Sequence, residues 1–174
     1  MVDLETTGTS PDRTGILQIA AVPFNLEMRE IGHDMFCQSM WLPPHRFWSE
    51  DTRGWWLSQN QEVFAKVTEN AWAPDVVMRD FATWVTNTVG ILDAEFWAKP
   101  TSFDFPFVSS YLKDLGIANP FKYWLARDVN TFIFAKTNKA PKETWDQIEF
   151  VGEKHNALCD CIHQIRGLFH AASC

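Results

Sequence analysis

The stretch MVDLETTGTSPDRTGILQIAAV, residues 1–22, decides the reading of this chain. Val2, Asp3, Leu4 and Glu5 alternate apolar and acidic, the period of a strand with one buried face. Asp3 and Glu5 then point the same way, with Cα atoms about 6.6 Å apart. Carboxylates at that spacing repel unless water solvates them or a cation sits between them. A bare D-x-E fits an exposed strand with solvated acids. It also fits a pair of hard divalent ions, which take carboxylate oxygens and lie about 3.5–4 Å apart in two-metal sites. Residues 8–15, GTSPDRTG, form a turn cluster. Residues 16–24, ILQIAAVPF, read as a second strand with Pro23 near its end.

Working outward, residues 30–40 read as a third strand, and the three together predict an antiparallel meander. A long loop with Pro43 and Pro44 follows. Ser49 or Asp51 then caps a helix carrying Trp55, Trp56 and Leu57. Pro74-Asp75 opens a helix whose Val77, Phe81, Trp84, Val85 and Thr88 keep helical spacing, ended by Gly90. Ile91 to Ala98 reads as a strand. Asp104 before Phe105-Pro106 reads as a helix N-cap, with a stripe of Val108, Tyr111, Leu112 and Leu115 running to Gly116. Tyr123 to Ala126 is a further strand. Arg127 and Asp128 read as an ion pair or cap, with a short helix through Phe134. Residues 136–154 are polar with few anchors and predict a mobile segment. Asn156 caps a last helix with the stripe Leu158, Ile162, Ile165 and Phe169, which sets Asp160 nearly opposite the core. Antiparallel strands followed by alternating helices and strands predict one α/β domain over residues 1–174, a sandwich around a mixed sheet.

The bulk numbers narrow the chemistry. The 174 residues carry a net charge of -7, so no global basic field gathers nucleic acid. An acidic chain that handles a polyanion needs cations held locally by its carboxylates. No run approaches about 18 apolar residues, so nothing spans a membrane, and no charged segment leads an apolar one as in a secretory signal. Cys37, Cys159, Cys161 and Cys174 form no C-x-x-C pair and read as free thiols of a cytoplasmic protein. The nine Trp and fourteen Phe exceed what a core needs, leaving a few for stacking or for a homodimer interface.

Two further motifs join the first. Ser102-Phe103-Asp104 precedes a helix in the middle of the chain. His155-Asn156-Ala157-Leu158-Cys159-Asp160 sets a base suited to neutral pH close to a helix-borne acid. Each alone has a structural explanation: a cap, an exposed loop histidine, a solvated face. Their joint occurrence in this order carries the weight.

In that order, D-L-E-T-T-G, S-F-D and H-N-A-L-C-D resemble the three motifs of the DEDDh 3′–5′ exonucleases, a superfamily with a ribonuclease-H-like fold. Residues 51–59 (DTRGWWLSQ), 95–104 (EFWAKPTSFD) and 120–131 (PFKYWLARDVNT) resemble its phage and prophage subgroup. That subgroup includes exodeoxyribonuclease-VIII-like and mycobacterial 3′–5′ exoribonuclease-like domains. The chain departs from it at Lys99-Pro100-Thr101, where Gly and Asn are usual, and at Asn130, where Arg is usual. Only Met1 and Val2 precede Asp3, where the family has a longer strand, so the expectation is a misassigned start or a short first strand.

The resemblance implies that Asp3, Glu5, Asp104 and Asp160 hold two Mg²⁺ or Mn²⁺ ions and that His155 is the general base. It implies release of nucleoside 5′-monophosphates from the 3′ end of single-stranded DNA or RNA, in a bacterial or phage-infected cell. Substrate contacts fall to Thr6, Thr7 and Gly8 after the first strand, to Trp55, Trp56 and Gln59, and to Phe103 beside Asp104. Of the two tryptophans, one is expected to pack and one to bind. The alternatives are an RNA- or oligoribonucleotide-specific enzyme, and a non-catalytic nucleic-acid-binding domain of the same fold. The second would be expected to have lost one of the five acid and base residues, and all five stand here.

Overall fold

In the computed structural model, which describes residues 1–90 and 94–173, strand β1 (Val2–Thr6) lies antiparallel to β2 (Ile16–Ala21). Val2 and Leu4 sit across from Ala21 and Ile19, while Asp3 and Glu5 sit across from Ala20 and Gln18. Residues opposite each other share a face, so the two acids face one layer and the two apolar residues the other. The register slips at a bulge between Glu5 and Thr6. A two-residue ribbon of β3 (Phe24–Asn25) and β4 (Glu30–Ile31) follows, then β5 (Phe36–Ser39), which pairs with the other edge of β2. The expected third strand over 30–40 is thus two strands in different sheets, because residues 32–35 turn the chain between them. The sheet order is β1-β2-β5.

All six residues of β2 are buried, so both its faces must be covered. Helix α1 (Glu50–Ser58) is capped by Ser49, whose hydroxyl accepts the Thr52 N–H. Helix α2 (Gln61–Thr68) is capped by Asn60 and lays Val63 and Val67 against Leu17 and Trp56. Helices α3 (Pro74–Thr88) and α4 (Thr101–Asp114) cover one face: Val77, Phe81, Phe107 and Tyr111 pack on Leu4, Ile16, Ile19 and Ala21. Each aliphatic side chain buried there contributes about 1.5–3 kcal/mol.

Between α3 and α4 runs β6 (Phe96–Ala98), parallel to β7 (Ala126–Asp128) and packed beside β1. The part of the expected strand at Ile91 to Asp93 lies outside the described residues. Tyr123–Leu125, read as strand, is a 3-10 turn, and the strand begins at Ala126 where pairing with Phe96 becomes available. Helix α5 (Val129–Thr137), a short α6 (Pro141–Trp145) and α7 (Ala157–Ala171) close the second face. Segment 136–154 is anchored by Trp145, whose ring packs where a side chain on Gly167 would stand. Helices on both faces of the strands give the expected α/β sandwich.

Two of the expected helix features are corrected. Asp104 does not cap α4, which starts three residues earlier, at Thr101. The Thr101 N–H is satisfied from a distance by Asp128 Oδ2 at 3.1 Å, so no local cap was needed. The fully buried face of α7 is Ala157, Cys161, Gln164, Ile165, Leu168 and Ala171, while Leu158, Ile162 and Phe169 are partly buried. Small residues let α7 approach the sheet closely, and Asp160 sits at the edge of that face beside Cys161, not opposite the core.

The turn after β1 is held by one buried cation. Arg46 donates to the carbonyls of Pro11 and Thr14 at 2.6 and 2.9 Å, to Ser110 Oγ at 2.8 Å and to Asp114 Oδ2 at 2.6 Å. Its guanidinium lies 4.0 Å from the Tyr111 ring centroid. Arg46→Met leaves buried carbonyls without donors and is expected to cost about 2–4 kcal/mol. A urea titration reads this as a lower midpoint at unchanged slope.

Candidate active site

The face of β1 that carries Asp3 and Glu5 meets α7. Asp160, in the first turn of that helix, completes a group in which one oxygen each of Asp3, Glu5 and Asp160 lies within 4.8 Å of the others. Asp104 enters from α4 and is 2% exposed, with the Leu4 N–H donating to its carboxylate. Sheet register and the start of α7 thus bring three acids together, and the start of α4 sets Asp104 within electrostatic reach of Asp3 and Glu5.

Burial first, and then mutual repulsion, sets their protonation. Asp3 is pushed well above the usual carboxylate range by burial, and next by Asp104, Glu5 and Asp160. Burial, then Asp160 and Asp104, raise Glu5 to about 8. Burial raises Asp104 to about 8 against the two backbone N–H bonds it accepts. Asp160 is raised by burial and eased by the His155 N–H and by the charges of His155, Lys99 and Lys154. Oxygen donors held this close, each disfavoured as a lone anion, match what hard divalent cations take.

His155 adopts a left-handed backbone, with φ of 63°. That turn points its N–H at Asp160 Oδ2, 2.9 Å away. Its ring meets Trp55 edge to face, with centroids 4.8 Å apart, and Trp55 leans on Trp56 at 4.9 Å. Trp56 is 3% exposed and donates its Nε1–H to the Thr6 carbonyl, while Trp55 is 40% exposed. Trp56 therefore packs, and Trp55 faces outward.

The other expected contacts are placed differently. Thr7 is fully buried, its hydroxyl donating to the Phe47 carbonyl and accepting the Gly15 N–H. Thr6 is buried and donates to the Gly8 carbonyl. A Cβ on Gly8 would stand 2.5 Å from Thr14 Cγ2, so this turn has room only for glycine. Gln59 bonds Ser58 Oγ and the Trp55 carbonyl at the end of α1. Phe103 is partly buried, 4.9 Å from the Phe107 ring.

Sequence reading missed two glutamines. Gln164, 3% exposed, donates Nε2–H to Asp3 Oδ1 at 2.7 Å, while its Oε1 is buried with no partner among the described residues. Gln18 accepts the Ala157 N–H at 3.1 Å and so ties the start of α7 to β2. Each is the one polar residue in an otherwise apolar stretch of its buried face, which was the available signal. Gln164→Leu keeps the volume and removes the bond that orients Asp3. It is expected to weaken Mn²⁺ binding by about 10–100-fold, read by calorimetry.

The antiparallel β1-β2-β5 sheet, the parallel pair β6 and β7 and the helices on both faces form a ribonuclease-H-like α/β fold. Two solved structures share it. One is cell-death related nuclease 4 (CRN-4), at TM-score 0.70 and 16% identity, covering 97% of this chain and 61% of that one. The other is S. pombe Pop2p in its Mg²⁺- and Mn²⁺-bound form, at TM-score 0.65 and 16% identity, covering 97% of this chain and 80% of that one. The chain belongs to the Rv2179c-like 3′-5′ exoribonuclease domain family, whose model matches residues 1–171. A comparison with curated protein sequences finds no match. No helix among the described residues is long and apolar enough to cross a membrane.

Proposed function

We propose that the chain is a metal-dependent 3′–5′ exonuclease that removes nucleoside 5′-monophosphates from single-stranded nucleic acid, with RNA favoured over DNA. The observation that carries the reading is the convergence of Asp3, Glu5, Asp104 and Asp160, with His155 bonded to the edge of the group. Membership in an exoribonuclease domain family supports the choice of RNA.

The four carboxylates would hold two ions, Mg²⁺ or Mn²⁺, whose oxygen preference fits this donor set. When bound, such ions supply an acidified water and charge neutralisation at the phosphate and the departing oxygen. The chain's own residues do the rest. His155 takes the proton of the attacking water. The water oxygen bonds to phosphorus, and the bond to the preceding nucleotide's 3′-oxygen breaks. Asp160 fixes the His155 backbone, and Trp55 sets the tilt of the ring. Gln164 holds Asp3, and Trp56 pins the end of β1 through the Thr6 carbonyl. Trp55 has the exposure to stack on a base, worth about 1–3 kcal/mol.

The test is a pair of matched RNA and DNA single strands labelled at the 5′ end, incubated with Mg²⁺, Mn²⁺ or EDTA. The expected result is a descending ladder that needs metal, runs faster on RNA and disappears in Asp3→Asn. Intact strands under every condition would overturn the catalytic reading and leave a binding domain.

A further inference from the structure

One flank of the carboxylate group carries a continuous string of cationic and aromatic side chains. Lys99 Nζ, at the end of β6, lies 4.2 Å from the centroid of Trp145. Trp145 meets His163 at 5.3 Å, and His163 meets Phe150 at 4.7 Å. Lys154 Nζ lies 5.9 Å over Phe150. Arg166, one turn along α7 from His163, adds a third cation that acts on the same imidazole. The string begins beside Asp3 and Asp160, within electrostatic reach of Lys99, and ends at the residue before His155.

Its cations are not locked in salt bridges. Among the described residues none of Lys99, Lys154 and Arg166 makes an ion pair. Two neighbouring acids are already occupied by lysines from outside the string: Asp146 by Lys142 and Glu153 by Lys66. Lys99 is partly buried, so its ammonium is held out of bulk water at a cost. The seat for Trp145 exists because residue 167 is glycine, since a Cβ there would stand 2.3 Å from the indole. In a chain of net charge -7, this is a local reserve of positive charge interleaved with rings. That combination suits a phosphodiester backbone with exposed bases.

We propose that the band of Lys99, Trp145, His163, Phe150, Lys154 and Arg166 receives the single strand upstream of its 3′ end. Its three cations take backbone phosphates, and its packed rings hold those cations in line along the path. The proposal rests on the nuclease reading and adds to it a path for the strand. It gives the acidic protein a hold on its substrate that does not pass through the carboxylates.

The experiment measures KM on 5′-labelled RNA from dinucleotide to octanucleotide, over a series of KCl concentrations. Wild type is compared with Lys99→Gln, Lys154→Gln, Arg166→Gln and the triple variant. For wild type, KM is expected to fall with length until the strand fills the band. Each variant is expected to flatten that gain and to reduce the salt slope by about 0.7 per lost phosphate contact. A rise in melting temperature with Mg²⁺ shows that each variant is folded with its carboxylate group intact. A KM independent of length, or variants that keep the full salt slope, would overturn the band and leave the nuclease reading standing. If no strand is hydrolysed, that reading fails by itself. The band is then judged by fluorescence anisotropy of the same strands in Mg²⁺: salt-sensitive binding lost in the triple variant supports it, and no binding, or binding unchanged in the variant, overturns it.

Discussion

Asp3→Asn is expected to fold, to gain stability in EDTA at pH 8, and to hydrolyse nucleic acid about 10³-fold more slowly or worse. The two effects have one cause. Without cations, the carboxylates repel one another in a buried space, and Asp3 stands among the other three. Glu5 and Asp104 are raised to about 8 in the fold, against about 4 in an unfolded chain. Between those values the folded protein keeps protons that the unfolded chain has released. The contribution of these two groups to the stability of the metal-free protein is therefore full below about pH 4 and is lost as pH rises through 8. Asn at position 3 needs no proton to stay neutral in that buried space and can keep its oxygen on the Gln164 amide, so the decline becomes shallower. Mg²⁺ should raise the wild-type melting temperature most at pH 8, and the variant's much less. Melts at pH 5 and pH 8, each with EDTA or Mg²⁺, check this. An equal Mg²⁺ shift in both proteins would remove Asp3 from the metal site.

His155→Asn is expected to lower kcat by about 10²–10⁴-fold while metal affinity holds. Asparagine is the informative choice because residue 155 has φ of 63°, a left-handed conformation that Asn tolerates better than most residues. The N–H bond to Asp160 belongs to the backbone and survives the change. What is lost is the imidazole and its edge-on contact with Trp55. Calorimetry with Mn²⁺ separates the two roles. Unchanged affinity with a collapsed kcat marks a proton acceptor. A parallel loss of both would mark His155 as a prop for the metal ligands.

Much of this site was legible in the sequence because its geometry is local. The i, i+2 spacing of Asp3 and Glu5 fixes a shared face as soon as β1 is a strand. Ser49, Asn156 and Asp128 each sit next to the helix they cap, and all three act as caps. What was misread depends on partners far along the chain. The start of α4 could not be found locally, since its cap comes from β7. The face of α7 was misjudged because bulk was taken as the mark of burial, whereas close approach to β2 selected alanine and cysteine. Helix α2 went unread although Asn60, Val63 and Val67 carry its cap and spacing. Thr7 looked free to bind because nothing nearby in sequence announces that Gly15 and Phe47 claim its hydroxyl. Lys99 stood out only as a departure from a family pattern, and its neighbours Trp145 and Asp160 come from elements folded in later.

Asp128 closes the ends of two helices with one carboxylate. Oδ2 takes the Thr101 amide of α4, and Oδ1 takes the Thr131 amide and hydroxyl of α5. A rotation of that side chain releases both ends at once. In native-state hydrogen exchange the amides of Thr101 and Thr131 should open in a common event with one free energy. The acid delivered by α4 would then be only as steady as a hinge that sits outside the carboxylate group.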